Sequence, residues 1–259
     1  MDKIMIGALT SRDAEKLRRC CLSVNHEDCK RVILCNTLNK DYIPEAKAVA
    51  DELGWEFVVS ESNGWPGKGK NSMLDYFYGS EAHYLVPLDA DDFLNEGALD
   101  RIKVLINNYD IDVLGQSTNP MTANGEETTF EDFISGKVKS YYDNLQLSKR
   151  QFVSMWGLIK ELQQTLPFNR FIVLSKKAVS KFRFQEDMME DIIAGAELYN
   201  LHQKEEINYF LTDEFLYNYE MYYGGALDRF LQDAKSVRAI TEHLQKNKVD
   251  LTNELPKIN

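Results

Sequence analysis

Residues 84–93, YLVPLDADDF, end an apolar, strand-like run in three carboxylates, Asp89, Asp91 and Asp92. Like charges this close repel, and holding them beside a buried strand end costs free energy unless something neutralises them. Strand alternation sets Asp89 and Asp91 on one side, and a turn after them lets Asp92 reach forward. Grouped carboxylate oxygens suit a hard divalent ion, Mn2+ or Mg2+, which removes the repulsion and can bridge to a diphosphate. The plain alternative is an acidic strand-to-helix turn in which Asp92 only caps the next helix. A second acidic run, FQEDMMEDIIAGAEL at 184–198, contains two pairs, Glu186-Asp187 and Glu190-Asp191. An unprotonated carboxylate there, within hydrogen-bond reach of a hydroxyl, can act as a general base. Ahead of both acidic clusters lies NGWPGKGKNS at 63–72, which mixes glycines with Lys68 and Lys70. Glycine permits close backbone approach, and a lysine near a helix N-terminus suits an anion. The segment is not a P-loop, because Asn71 rather than Ser or Thr follows Lys70.

The elements that must position these groups alternate. Apolar runs predict strands at 3–8, 31–35, 55–59, 84–88 and 111–115. Helical spacing predicts helices at 14–24, with Ser11 or Asp13 as N-cap, and at 44–53, stopped by Gly54. A further helix is expected to open at Lys70 or Asn71 after a glycine loop, and another covers 95–107. Strands separated by helices imply an α/β fold with a mainly parallel sheet flanked by helices. Ligands bind such sheets beyond the carboxyl ends of the strands. Loops 10–13, 36–39, 64–71 and 89–92 all fall at that edge. The second half is less regular: loop-rich from 119 to 142, then a helix at 149–164 and a strand at 171–174. Helices follow at 176–182 and 186–199, then tyrosine-rich strand or loop at 211–223, a terminal helix at 226–246 and a tail. We read residues 1–115 as a regular α/β half, 116–225 as a less regular half that carries the second acidic run and 226–259 as a terminal helix and tail, all within one continuous domain.

Composition bounds the partners. The 259 residues are 44% hydrophobic and 11% aromatic, values of a globular chain. A net charge of −11 opposes broad capture of nucleic acid or anionic membrane. One local exception exists: Arg170, Lys176, Lys177, Lys181 and Arg183 fall between 167 and 185 with no carboxylate among them. That run reads either as a solvated helix face or as a landing site for an anionic acceptor. The four cysteines form no CxxC pair, which points away from zinc and towards a reducing compartment. No signal-type segment and no apolar run of about 18 residues is present, so a cytoplasmic protein without a membrane span is expected.

The ordered set of a βαβαβ start, a Gly/Lys/Asn segment, a strand ending in Asp89-Ala90-Asp91-Asp92 and a later Glu-Asp pair resembles the GT-A fold glycosyltransferases, family 2-like. The likeness runs from residue 3 to about 94 and resumes at 171–198, and it implies that 1–115 is the nucleotide-sugar-binding half and 116–225 the acceptor-side half with the catalytic acidic segment. It implies a Rossmann-like α/β fold and a metal-dependent, mostly inverting transfer of sugar from a nucleoside diphosphate to an acceptor hydroxyl. By that resemblance Thr10, Ser11 and Arg12 line the nucleobase and ribose pocket. Asn36 stands where the family usually carries an Asp, and its amide can still hydrogen-bond a base edge. Asn63, Gly64, Lys68, Lys70 and Asn71 occupy the donor segment, with Trp65 as a stacking candidate and Asp89-Ala90 at the donor. Asp89, Asp91 and Asp92 are the expected ligands of Mn2+ or Mg2+, and a UDP-sugar is the favoured donor. Asp191, with Glu190, is the expected base, and Glu186-Asp187 is the rival pair. Lys176 and Lys177, ahead of that base, invite an anionic acceptor such as modified DNA. Two other readings stay open: a nucleotidyltransferase acting on a sugar phosphate, and a non-catalytic nucleotide-sugar-binding module.

Overall fold

All seven residues of the first strand, β1 (Ile4–Thr10), are buried, as a strand covered on both faces requires. Its side chains alternate between two cores. Ile4, Ile6 and Ala8 face one, and Met5 and Leu9 face the other. The chain continues through α1 (Ala14–Leu22), β2 (Lys30–Cys35), α2 (Tyr42–Leu53), β3 (Glu56–Val59), α3 (Pro66–Gly79), β4 (Tyr84–Asp89), β5 (Phe93–Leu94), α4 (Ala98–Asn108) and β6 (Val113–Gln116). It then forms β7 (Met121–Ala123), β8 (Glu126–Thr128), β9 (Arg170–Ser175), α5 (Lys176–Val179), α6 (Glu190–Gln203), β10 (Tyr209–Thr212) and β11 (Tyr217–Met221). The computed structural model describes residues 4–24, 28–116, 121–123, 126–128, 132, 170–186, 190–221, 242 and 254–259. The expected helix at 149–164, that at 226–246 apart from Glu242, and Asp187 lie outside the described residues. Among the described residues no helix is long and apolar enough to cross a membrane.

Seven strands form one sheet in the order β10-β6-β9-β4-β1-β2-β3, and β5-β11-β7-β8 form a smaller one. In the large sheet β1 pairs in parallel with β2 and β4, β2 with β3, and β6 with β10. β9 alone among these runs antiparallel, wedged between β4 and β6. Helices α1, α2 and α4 pack on one face, and α3, α5 and α6 on the other. The sheet draws strands from both the first 116 residues and the segment after 170, so the two expected halves share one core.

Two local expectations need correction. The glycine segment is not a loop. Pro66 opens α3 at its N-terminal turn, where a missing N–H costs nothing, so Gly67, Lys68, Gly69 and Lys70 are helical. Helical glycines are tolerated here because α3 lies hard against other backbone. A Cβ on Gly67 would sit 1.8 Å from the Gln185 carbonyl oxygen, and one on Gly69 would sit 2.8 Å from Asn36 Cγ. The final residues are not a loose tail either. Leu211 donates its N–H to Pro256 O (2.9 Å) and Ile258 donates to Leu211 O (2.8 Å), which covers the β10 edge and buries Leu255 and Ile258.

Gly67→Ala is therefore expected to destabilise the protein by about 1–3 kcal/mol or more in chemical denaturation, the scale of core overpacking. Gly79→Ala, where nothing lies within 4 Å of the added methyl, is the matched control and is expected to be neutral or slightly stabilising.

Candidate active site

Sheet register gathers the site. Leu9 stands opposite Asp89 and Thr10 opposite Cys35, so Thr10, Asn36 and Asp89 reach one edge together. The chain turns immediately after β4: Asp92 donates its N–H to Asp89 O (2.9 Å) and Ala90 donates to Leu9 O (2.9 Å). Arg19 holds the turn from outside by donating to Asp91 O (2.6 Å). The Asp92 side chain then points inward, fully buried. It accepts from the Tyr217 hydroxyl (2.7 Å) and from the Glu220 N–H (2.9 Å). Burial, then the nearby Asp91 charge, raises its proton affinity well above that of an ordinary carboxylate. Asp92 is thus a pin for β11, and of the three aspartates expected to ligate an ion it is the one whose two oxygens are engaged by protein donors. Among the described residues no group of three or more His, Cys, Asp or Glu side chains is placed to hold a metal ion. Two carboxylates remain, Asp89, whose Oδ2 lies 3.5 Å from both Lys70 and Arg170, and Asp91; two protein carboxylates suit an ion that keeps other oxygen ligands, as Mg2+ usually does, and not an all-protein cage.

Lys70 projects from the first turns of α3 into the acidic edge. Its Nζ lies 2.5 Å from Asp191 Oδ1, 2.7 Å from Glu190 Oε1 and 3.5 Å from Asp89 Oδ2. Only 12% of the side chain is exposed. Burial works against its charge, but Asp191, Asp89 and Glu190 together outweigh that and keep the ammonium firmly protonated. Arg170, at the start of β9, completes the cluster with Nη1 at 3.2 Å from Asp191 Oδ2 and 3.5 Å from Asp89 Oδ2. Its guanidinium lies over the Tyr219 ring, 3.9 Å from the centroid. The two neighbouring acids diverge. Burial raises the Glu190 pKa to about 7 despite Lys70, whereas for Asp191 the pull of Lys70 and Arg170 overcomes burial and lowers it. A small cavity between the sheet and α3 is lined by Leu9, Lys70, Asp89, Arg170, Phe184 and Asp191, among others.

No protein-family model and no curated protein matches the sequence. Solved structures do match. TarS 1–349 from S. aureus, in complex with UDP-GlcNAc, has a TM-score of 0.58 at 16% identity, covering 98% of this chain and 68% of that one. Glucosyl-3-phosphoglycerate synthase from Mycobacterium tuberculosis, with Mn2+ and UDP-glucose, has a TM-score of 0.57 at 11% identity, covering 96% of this chain and 80% of that one. The chain has the GT-A fold. It spans 66% of TarS 1–349 in a further crystal structure and 40% of the longer TarS chain. At such identities the likeness carries the fold, and what the chain does is argued from its own residues.

The GT-A sheet sorts the remaining candidates. The Thr10 hydroxyl is buried against Tyr42 OH (2.5 Å), so it faces the protein rather than a ligand. Ser11 is exposed and Arg12 half-buried at the rim. Asn36 donates its amide N–H groups to Ser60 Oγ and Glu61 O, both at 2.8 Å, which ties the β2 and β3 ends together. Asn63 donates to Glu186 O (2.9 Å), Gly64 makes the turn at φ 86°, and Trp65 is 39% exposed beside it. Lys68 pairs with Glu61 at 3.0 Å, away from Asp191. Asn71 is a clamp on Phe184, donating to its carbonyl (2.7 Å) and accepting from its N–H (2.9 Å). Ala90 packs its methyl into the core. Glu190 and Asp191 open α6 at Lys70, while Glu186 lies at the surface.

The basic run does not form a patch. Ser175 pairs with Tyr84 at the start of β4, so Lys176 and Lys177 lie at the opposite end of the sheet from Asp89. Lys176 donates to Ser80 O, Lys177 pairs with Asp112 (2.7 Å), Lys181 with Glu206 (2.7 Å) and Arg183 with Asp75 (3.2 Å). Only Arg170 of the five reaches the acidic edge, because β9 runs antiparallel. Sequence reading met Arg170 only within the basic run and Tyr217 and Tyr219 only within a tyrosine-rich stretch, and it passed over Glu220; no pattern in the sequence marks the reversal of β9.

Glu190 yields a signed pH dependence. A carboxyl whose folded pKa is about 7 against an ordinary 4.5 contributes stability below 4.5 and loses it as pH rises towards 7. Glu190→Gln lacks that loss. Its stability relative to the parent is expected to improve by roughly 1–3 kcal/mol from pH 5 to pH 8 in urea titrations, and a pH-independent difference would contradict the assignment.

Proposed function

We propose that the chain is a metal-dependent glycosyltransferase that moves a sugar from a nucleoside-diphosphate sugar, with UDP favoured, to an acceptor hydroxyl. The observation that carries this reading is the placement of Lys70. One ammonium lies between the β4 carboxylate Asp89 and the α6 acids Glu190 and Asp191, at the carboxyl edge where GT-A sheets take ligands. Asp91, with Asp89, would hold the Mn2+ or Mg2+ ion, which when bound supplies positive charge opposite the departing diphosphate. Lys70 presents its ammonium to the same diphosphate and so stabilises charge that grows as the sugar leaves. Asp191 stays ionised and faces the opening, which suits a base that takes the proton of the acceptor hydroxyl in a single, inverting displacement. Glu190, which holds its proton more readily, orients Lys70.

Asn36 supports uridine. Its amide nitrogen is engaged by Ser60 and Glu61, so on this largely buried side chain the acceptor Oδ1 is the atom that would meet a base. Uracil offers an N–H at the corresponding edge position, where cytosine has a lone pair. Trp65, exposed at the same rim, adds an apolar face. The donor class also agrees with UDP-GlcNAc and UDP-glucose in the TarS and synthase structures. Nothing at the site favours a polyanionic acceptor, since the cations that suggested modified DNA are paired at the far end of the sheet. Nucleotidyl transfer and simple binding would each leave Asp191 with only its ion pairs to Lys70 and Arg170.

In a thermal-shift series UDP with Mn2+ is expected to raise the melting temperature more than CDP with Mn2+, a ligand at 100 Kd adding about 2.7 kcal/mol. Asp91→Ala is expected to remove the Mn2+-dependent part of that shift. Asp191→Asn is expected to keep UDP binding and lower turnover about 10²–10⁴-fold, the usual contribution of a positioned base. A fully active Asp191→Asn variant would exclude this base.

A further inference from the structure

Arg170 is the one cation in the cluster that reaches it from β9, and it does so with both its edge and its face engaged. Its Nη1 lies 3.2 Å from Asp191 Oδ2 and 3.5 Å from Asp89 Oδ2, while its plane covers Tyr219 at 3.9 Å and approaches Tyr217 at 6.0 Å. A guanidinium can do both because it is planar and its N–H groups point in fixed directions; a lysine ammonium in the same place would be a point charge without the stack. The stacking partners belong to β11, and β11 is pinned by Asp92 through Tyr217 and the Glu220 N–H. The position of Arg170 is therefore set by the same turn that carries Asp91.

The consequence falls on the base. Asp191 has one oxygen on Lys70 and the other on Arg170. A carboxylate engaged this way has one lone pair on each oxygen committed to a cation, which makes it a weaker acceptor for the proton of an incoming hydroxyl. A diphosphate entering the cleft brings several anionic oxygens to the edge shared by these two cations, and charge-assisted bonds to phosphate are among the strongest a guanidinium makes. We propose that Arg170 is a positioning residue of the transfer reaction: it orients Asp191 while the cleft holds no donor and turns onto the donor's diphosphate when one binds, releasing Asp191 Oδ2 towards the acceptor. No covalent bond changes in this step; one N–H exchanges a carboxylate oxygen for a phosphate oxygen. The proposal rests on the glycosyl-transfer reading and assigns to it a residue outside the Asp89–Asp92 turn, α3 and α6.

The test compares parent, Arg170→Gln and Arg170→Lys for UDP affinity with Mn2+ by calorimetry and for hydrolysis of UDP-glucose and UDP-GlcNAc, with melting temperature as a check on folding. Arg170→Gln is expected to weaken UDP about tenfold or more and to lower kcat about a hundredfold. Arg170→Lys is expected to recover most of the UDP affinity but not kcat, because the charge returns without the stack or the fork. Should Arg170→Gln not fold, Tyr219→Leu, which removes the ring beneath the guanidinium, is expected to lower kcat in the same sense by about three- to tenfold. A lower melting temperature with UDP affinity and turnover per folded molecule unchanged would make Arg170 purely structural and overturn the proposal. A parent protein that neither binds UDP nor hydrolyses either sugar nucleotide would overturn the transfer reading itself, a different result from an active parent with indifferent Arg170 variants.

Discussion

The buried ammonium of Lys70, with the Arg170 guanidinium beside it, makes the acidic edge of this GT-A sheet tolerable. Asp89 from β4 and Glu190 and Asp191 from α6 converge on the ammonium. Without a cation these groups would repel one another or take up protons to neutralise themselves. Lys70 can reach them because Pro66 starts α3 early and because Gly67 and Gly69 let that helix press against Gln185 and Asn36. The glycines therefore act on ligand chemistry at one remove. They bring the helix close, and the helix brings the lysine.

A second constraint joins the two ends of the site. Asp92 gives its carboxylate to Tyr217 and to the Glu220 N–H, and Lys16 and Arg19 hold the Glu220 side chain from α1. Asp91 sits in a turn fastened on one side by Arg19 and on the other by β11. Loss of a fully buried carboxylate with two bonds leaves unmatched donors, so this pin resists change more than its distance from the cleft suggests. It also means that the most acidic stretch of the chain divides its labour: Asp92 builds, while Asp89 joins the cluster at Lys70.

Much of this was legible in the sequence. Apolar runs alternating with helical spacing located β1 to β4, β6 and their helices to within a few residues, and the D-x-D stretch was expected at a strand end where Asp89 now lies. The Glu190-Asp191 pair was legible because it opens a helix, where acids are favoured. What escaped depended on contacts far apart in the chain. The glycine segment reads as a loop unless one knows that Gln185 lies 1.8 Å from a missing Cβ. The role of Asp92 depends on Tyr217, 125 positions later. The five-cation run looked like one patch because residue order cannot reveal that β9 reverses direction and sends Arg170 to one end of the sheet and Lys176 to the other.

The central claim is that Lys70 holds the acids in readiness for a diphosphate. The most direct measurement is the affinity of Lys70→Met for UDP and for uridine, each with Mn2+, by calorimetry. The account predicts that UDP weakens about tenfold or more while uridine, which has no phosphate, binds as it does to the parent. UDP affinity equal to that of the parent in a folded Lys70→Met protein would contradict it.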